Sequence, residues 1–176
     1  MPTPTGHYEE LDGAPIIRFE RTFPHPVAEV WAAITDPERL AAWFPTRVEF
    51  AVLSPGAPID FRFPEDAYPP LTGAFREVHA PQELSFTWGE DVLTFELAEA
   101  HDGNACRLSL TVVLDAAEKA ARDAAGWDSC LDGLTRVLDG RTSQRPAGSA
   151  NWESYYAQYQ AAGLPATAEI PTPDRG

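Results

Sequence analysis

Apolar and polar positions along the chain repeat with more than one period. From Ile16, the run IIRFERTF sets Ile17, Phe19 and Arg21 against Ile16, Arg18, Glu20 and Thr22. That imperfect two-residue period predicts a strand, ended by Pro24-His25-Pro26. In VAEVWAAIT the period lengthens, with Val27, Val30, Trp31 and Ile34 at i, i+3, i+4 and i+7, the stripe of a short amphipathic helix. Asp36-Pro37-Glu38 then starts a second brief helix: Asp suits the N-cap, and Pro in the first helical position gives up no hydrogen bond. It runs out in Leu40, Trp43, Phe44 and Pro45.

Between Thr46 and Leu114 the short period returns. RVEFAVL, PIDFRF, TGAFREV, ELSFTW, VLTFELAEA and CRLSLTVVL are separated by turn residues, the pattern of an antiparallel meander. Asp102-Gly103 predicts a two-residue hairpin, because both positions accept positive φ. Ile59, Phe61 and Phe63 share one strand face and leave Asp60 and Arg62 on the other, outward one; Leu84, Phe86 and Trp88 share a face in the same way. Arg76 and Glu77 straddle both faces of their strand.

The last long element reads AAEKAARDAAGWDSCLDGLTRVLD. It begins with Asp115 and Glu118 in capping-box spacing, and Gly140 is its stop. One face carries Ala117, Ala120, Ala124, Trp127, Leu131, Leu134 and Leu138. The bulky half anchors the helix to a sheet, and the Ala-rich half leaves room for a cavity. Gly126 costs about 1 kcal/mol in a helix interior and points to close packing or a bend. NWESYYAQYQAAGL forms a final short helix whose aromatic side, Trp152, Tyr155, Tyr156 and Tyr159, docks on the chain itself or on a partner. The expected organisation is a flexible lead over 1–15, one domain over 16–140, a linker and accessory helix over 141–164, and a flexible tail over 165–176.

Composition narrows the function classes. The 176 residues, 44% hydrophobic and 11% aromatic, fit one globular domain. A formal net charge of -14 argues against nucleic acid and anionic membrane surfaces, since both need clustered Lys and Arg. With neither a signal-like leader nor a membrane-length apolar run, the expected location is cytoplasmic. There Cys106 and Cys130 stay reduced; Cys130, flanked by Asp128 and Asp132, has surroundings that raise a thiol pKa. His7, His25, His79 and His101 lack metal-ligand spacing, so neither metal nor cofactor is expected. No nucleophile triad or phosphate loop is visible, which leaves enzymatic activity open and leans against it.

The order strand, two short helices, six strands and long helix resembles the START-like helix-grip fold, an α+β architecture. Within it, FERTFPHPVAEVWAAITDPERLAAWF, TGAFREVHAPQELSFTW, GWDSCLDGLTRVLDG and the trailing W…YYAQYQAAGL are similar to the activator of Hsp90 ATPase homologue family, bacterial type. The resemblance implies a cavity between sheet and long helix, closed by the two short helices, holding a small apolar or amphipathic molecule. Relatives on this fold bind lipids, sterols, polyketides or hormones, and a few are cyclases or hydrolases. The expected lining is Trp31, Trp43, Phe44, Phe61, Phe63, Phe75, Phe86, Trp88, Ala120, Ala124 and Trp127, with Trp43 and Phe44 at the mouth. The alternatives are an enzyme of cyclase or hydrolase type and a chaperone-related interaction module. Stimulation of Hsp90 is not expected, because the namesake's separate N-terminal domain has no counterpart before residue 16. A homodimer stays open.

Overall fold

The computed structural model describes residues 2–141 and 150–171. Chain order is β1 (Gly6–Leu11), β2 (Ala14–Phe23), α1 (Val27–Thr35), α2 (Pro37–Leu40), β3 (Arg47–Glu49), β4 (Pro58–Arg62), β5 (Leu71–His79), β6 (Glu83–Trp88), β7 (Asp91–Ala100), β8 (Ala105–Val113), α3 (Ala120–Leu138) and α4 (Ala150–Ala161). The strands make one antiparallel sheet in the order β1-β2-β8-β7-β6-β5-β4-β3. Every sheet neighbour except the β2–β8 pair is also a chain neighbour, so short turns suffice from β3 to β8 while α1 and α2 carry the chain across from β2.

The inward face follows the strand alternation. Ile17 and Phe19 on β2, Leu108, Leu110 and Val112 on β8, Leu93, Phe95 and Leu97 on β7, and Ile59 and Phe61 on β4 are all buried in one core. Across it lie Trp127, Leu131, Leu134 and Leu138 of α3. Asp60, Arg62, Arg76 and Glu77 are exposed on the outer side. For Arg76 and Glu77 the cause is a register shift between Phe75 and Glu77, which lets two consecutive side chains face solvent.

Helix termini follow local chemistry. Asp36 accepts from the Glu38 N–H at 3.0 Å and caps α2, with Pro37 next to it. At the end of α3, Gly140 sits at φ +69°; its N–H reaches the Val137 carbonyl and the Arg141 N–H that of Arg136, a Schellman closure. The expected capping box of Asp115 and Glu118 does not form. Asp115 instead pairs with Lys119 Nζ at 2.5 Å, and a tight turn over Ala117–Lys119 leads into α3. Lys119 also binds both oxygens of Asp91 on β7, at 2.8 and 3.0 Å, pinning the helix start to the sheet.

The stretch read as a flexible lead contains β1, paired with β2 from Gly6 opposite Phe19 to Leu11 opposite Ala14. Its side chains are mostly exposed, so alternation gave no signal; Asp12 and Gly13, at φ +51° and +81°, were the hairpin cue. The Asp102-Gly103 connection is longer than expected: Ala100 pairs with Ala105, and residues 101–104 form the loop. Of the tail, residues 165–171 are described, and Pro165, Ala168 and Glu169 lie against the start of α3. The Ala121 N–H bonds the Pro165 carbonyl, the Ala168 N–H that of Glu118, and Arg122 that of Glu169. Residues 142–149 of the expected linker and 172–176 of the tail fall outside the described residues.

Gly126 is not where α3 packs closely, since a Cβ there would meet nothing within 4 Å. The close approach is at Gly133, against Trp43.

Candidate functional site

The space between sheet and α3 is filled with aromatic rings. Phe44, from the irregular segment joining α2 to β3, is their hub. Its ring centroid lies 5.6 Å from Trp43, 6.1 Å from Phe61, 6.2 Å from Phe86, 5.2 Å from Trp88 and 5.6 Å from Trp127. Phe61 and Phe86 are 6.0 Å apart, Phe75 is 6.3 Å from Phe86, and Phe63 reaches Trp88 at 6.0 Å. These distances are those of edge-to-face and offset pairs, so the rings pack into the space rather than line an open one.

The free volume left among them is about 10 Å³, bordered by residues including Ile34, Thr35, Phe44, Val48, Phe61 and Phe86. That is close to the room a single water needs. That space does not extend to the Ala-rich half of α3, none of whose residues border it. Ala120, Ala121, Ala124 and Ala125 are all fully buried, and the small side chains serve close packing instead. Trp43 and Phe44 do not stand at a mouth; they are 2% and 4% exposed. Trp43 is held inside by a 2.9 Å bond from its Nε1 to the Ala33 carbonyl.

The expected lining residues separate into groups. Trp43, Phe44, Phe61, Phe63, Phe75, Phe86, Trp88 and Trp127 form one continuous ring cluster. Phe44, Phe61, Phe75 and Phe86 border the residual space. Trp31 is half-buried on α1, packed against the core, and Ala120 and Ala124 are buried on α3; none of the three borders that space.

A polar network lies on the other flank of α3. Asp128, fully buried, accepts from Arg21 Nη2 at 2.9 Å, from the Thr5 N–H at 3.1 Å and hydroxyl, and from the Tyr159 hydroxyl. One helical turn on, Asp132 accepts from Arg21 Nη1 at 2.7 Å and the Tyr155 hydroxyl at 2.8 Å. Gly6 completes the set, its N–H donating to the Tyr159 oxygen at 2.7 Å. The i, i+4 carboxylates of α3 thus meet the i, i+4 tyrosines of α4, with Arg21 of β2 between them. An open cleft of about 450 Å³ runs beside this network, bordered by Thr5, Arg21, Asp132, Asp139 and Tyr155 among others.

Burial alone would lower the Arg21 pKa, but its bonds to Asp132 and Asp128 outweigh that and raise it. Burial, with the Asp128 bond added, pushes the Tyr159 hydroxyl up; burial and Asp132 do the same for Tyr155. Burial raises the Cys130 thiol to about 12, and the Asp132 charge adds to it. The histidines take separate partners: His25 bridges Glu29 and Asp139, both at 3.1 Å, and His79 binds Glu83 at 3.2 Å. Among the described residues no three His, Cys, Asp or Glu side chains converge as a metal site, and no helix is long and apolar enough to cross a membrane.

The sequence held one cue to this network. Arg21 shares the inward face of β2 with Ile17 and Phe19, which demands a buried counter-charge. What it could not show is that the partners sit more than a hundred residues away.

Solved structures share the architecture. A conserved protein of unknown function, EF2215 from Enterococcus faecalis, superposes with a TM-score of 0.73 at 19% identity, covering 89% of each chain. CalU16 from Micromonospora echinospora gives 0.67 at 22% identity over 90% of this chain and 96% of its own. DynU16, a protein of the dynemicin biosynthetic locus, gives 0.62 at 25% identity over 74% of this chain and 49% of its own. No curated protein matches the sequence. The family model described as activator of Hsp90 ATPase homolog 1-like protein matches residues 24–139, from the turn after β2 to the residue that closes α3, and the chain belongs to that family.

Proposed function

We propose that this chain binds a small, uncharged apolar or amphipathic molecule between the sheet and α3. The observation that supports this most is the hub position of Phe44. Its ring takes up the centre of an otherwise aromatic enclosure, yet it comes from an irregular segment between a four-residue helix and a three-residue strand. The rings around it, other than Trp43, stand on β4, β6 and α3. Phe44 is the ring whose withdrawal would open a phenyl-sized slot with the least disturbance to regular structure. Such a slot would be apolar on nearly all sides, as small-molecule sites mostly are.

The bordering side chains are apolar apart from Thr35, which supports holding a ligand over proton transfer to it. The DynU16 likeness, to a protein of a biosynthetic locus, fits a role in handling a small molecule.

The test is native mass spectrometry of freshly purified protein, followed by titration with naphthalene and 2-naphthol while tryptophan emission is recorded. Trp43, Trp88 and Trp127 all touch Phe44, so a ligand taking its place changes their emission. A co-purified apolar molecule or saturable quenching is the expected result. No co-purified molecule together with no saturable response to either probe overturns the reading.

A further inference from the structure

Of the described residues that border the interior space, Thr35, Phe50 and Leu53 are half-buried and the others are buried. The space therefore comes nearest to solvent where it is bordered by the end of α1 and the segment joining β3 to β4. Thr35 is fixed there, since it ends a regular helix and its hydroxyl donates to the Trp31 carbonyl at 2.7 Å.

Phe50 and Leu53 stand on irregular chain, and hydrogen bonds divide it in two. The Gly56 N–H bonds the Phe75 carbonyl at 2.8 Å, the Phe75 N–H the Ala57 carbonyl at 3.0 Å, and the Ala57 N–H the Ser54 carbonyl at 3.0 Å. Residues 54–57 are thereby tied to β5. No hydrogen bond among the described residues holds Ala51, Val52 or Leu53. The Phe50 ring closes the wall by meeting Phe75 edge-on, its centroid 5.0 Å away. Turning that ring and swinging residues 51–53 outward breaks no bond of the sheet. By contrast, Ile59, Phe61, Phe75, Leu84 and Phe86 of the same wall are all held in strand ladders.

We propose that Phe50 and Leu53 are the gate of the interior site, the side chains that must withdraw for an apolar ligand to enter or leave between α1 and the β3–β4 segment. This rests on the binding reading above and adds the route to the site. Phe44 occupies the ligand's place; Phe50 and Leu53 close the way to it. A gate opens for entry and exit alike, so it sets both rates and leaves affinity to the wall behind it.

The experiment is stopped-flow mixing of the whole chain with 2-naphthol, followed by tryptophan emission, which gives kon and koff. The proteins compared are the wild type, Phe50→Ala, Leu53→Ala and Val52→Ala. Removing either gate side chain should raise kon and koff together by about tenfold, well inside the range over which variants of one site differ in kon. Kd should stay nearly unchanged. Val52 lies on the same segment and is 56% exposed, so Val52→Ala should keep the wild-type rates. Far-UV circular dichroism checks the fold of each variant, and one folded gate variant suffices for the comparison. Unchanged kon in the gate variants, or equal acceleration in Val52→Ala, overturns the gate and leaves the binding reading standing. No saturable response in any of the four proteins overturns both.

Discussion

Gly133 of α3 lies so near Trp43 that a Cβ on the glycine would stand 3.3 Å from the Trp43 Cβ and 3.5 Å from its Cα. Seven residues earlier, Gly126 faces open space. Helix propensity favours Ala over Gly equally at both sites, so the surroundings decide the outcome. Gly126→Ala should stabilise the fold by about 0.5–1 kcal/mol. Gly133→Val should cost about 1–3 kcal/mol, because it drives α3 away from the segment holding Trp43 and Phe44. Urea denaturation of the two variants checks both signs; equal effects would contradict the packing difference.

Asp128 is the other fixed point of α3. Removing its carboxylate leaves the Tyr159 hydroxyl and the Thr5 N–H without an acceptor and halves the charge facing Arg21. Asp128→Ala should cost about 3–5 kcal/mol, the range seen when one member of a buried charge network is deleted. Proteolysis of this variant should cut first in the N-terminal strand or in α4, which the network ties to α3. A cost below about 1 kcal/mol, the value of a surface pair, would show that the network is wet.

The tyrosines give that network a pH dependence. Burial and bonds to Asp128 and Asp132 raise both hydroxyls above the usual 10.0. A pKa raised on folding contributes stability in full below the unfolded value, and that contribution is lost as pH rises from it towards the folded value. Stability should therefore fall above pH 10 as the unfolded-state phenols ionise. Tyr159→Phe should lower stability at neutral pH, where the hydrogen bond is lost, and flatten the alkaline decline. Parallel curves for the wild type and the variant between pH 9 and 11 would sink the assignment.

The sequence carried the sheet more readily than the site. Alternation in PIDFRF and ELSFTW placed Ile59, Phe61, Leu84 and Phe86 inward, because a half-buried strand writes its faces into a two-residue period. The edge strand β1 left no such trace, since an edge with little buried surface has no apolar face to repeat. The Ala-rich stretch of α3 was open to two readings. A small side chain can border a void or admit a neighbour, and the choice lies with residues distant in sequence, here the Pro165–Ala168 segment bonded to the start of the helix.

Phe44 itself provides the last prediction. Its ring is nearly enclosed and meets five others, so Phe44→Ala should cost about 3–5 kcal/mol, transfer and cavity terms together. If the ring occupies the ligand's place, the same substitution should make the interior easier to fill. Naphthalene should then raise the thermal midpoint of Phe44→Ala more than that of the wild type, because the wild type must first displace its own ring. The control is Phe23→Ala, which removes a buried ring of the same size at the end of β2, outside the aromatic cluster. Naphthalene should rescue Phe44→Ala and leave Phe23→Ala unimproved relative to the wild type. Equal rescue of the two would mean that any core cavity takes the probe, and that Phe44 holds no place in particular.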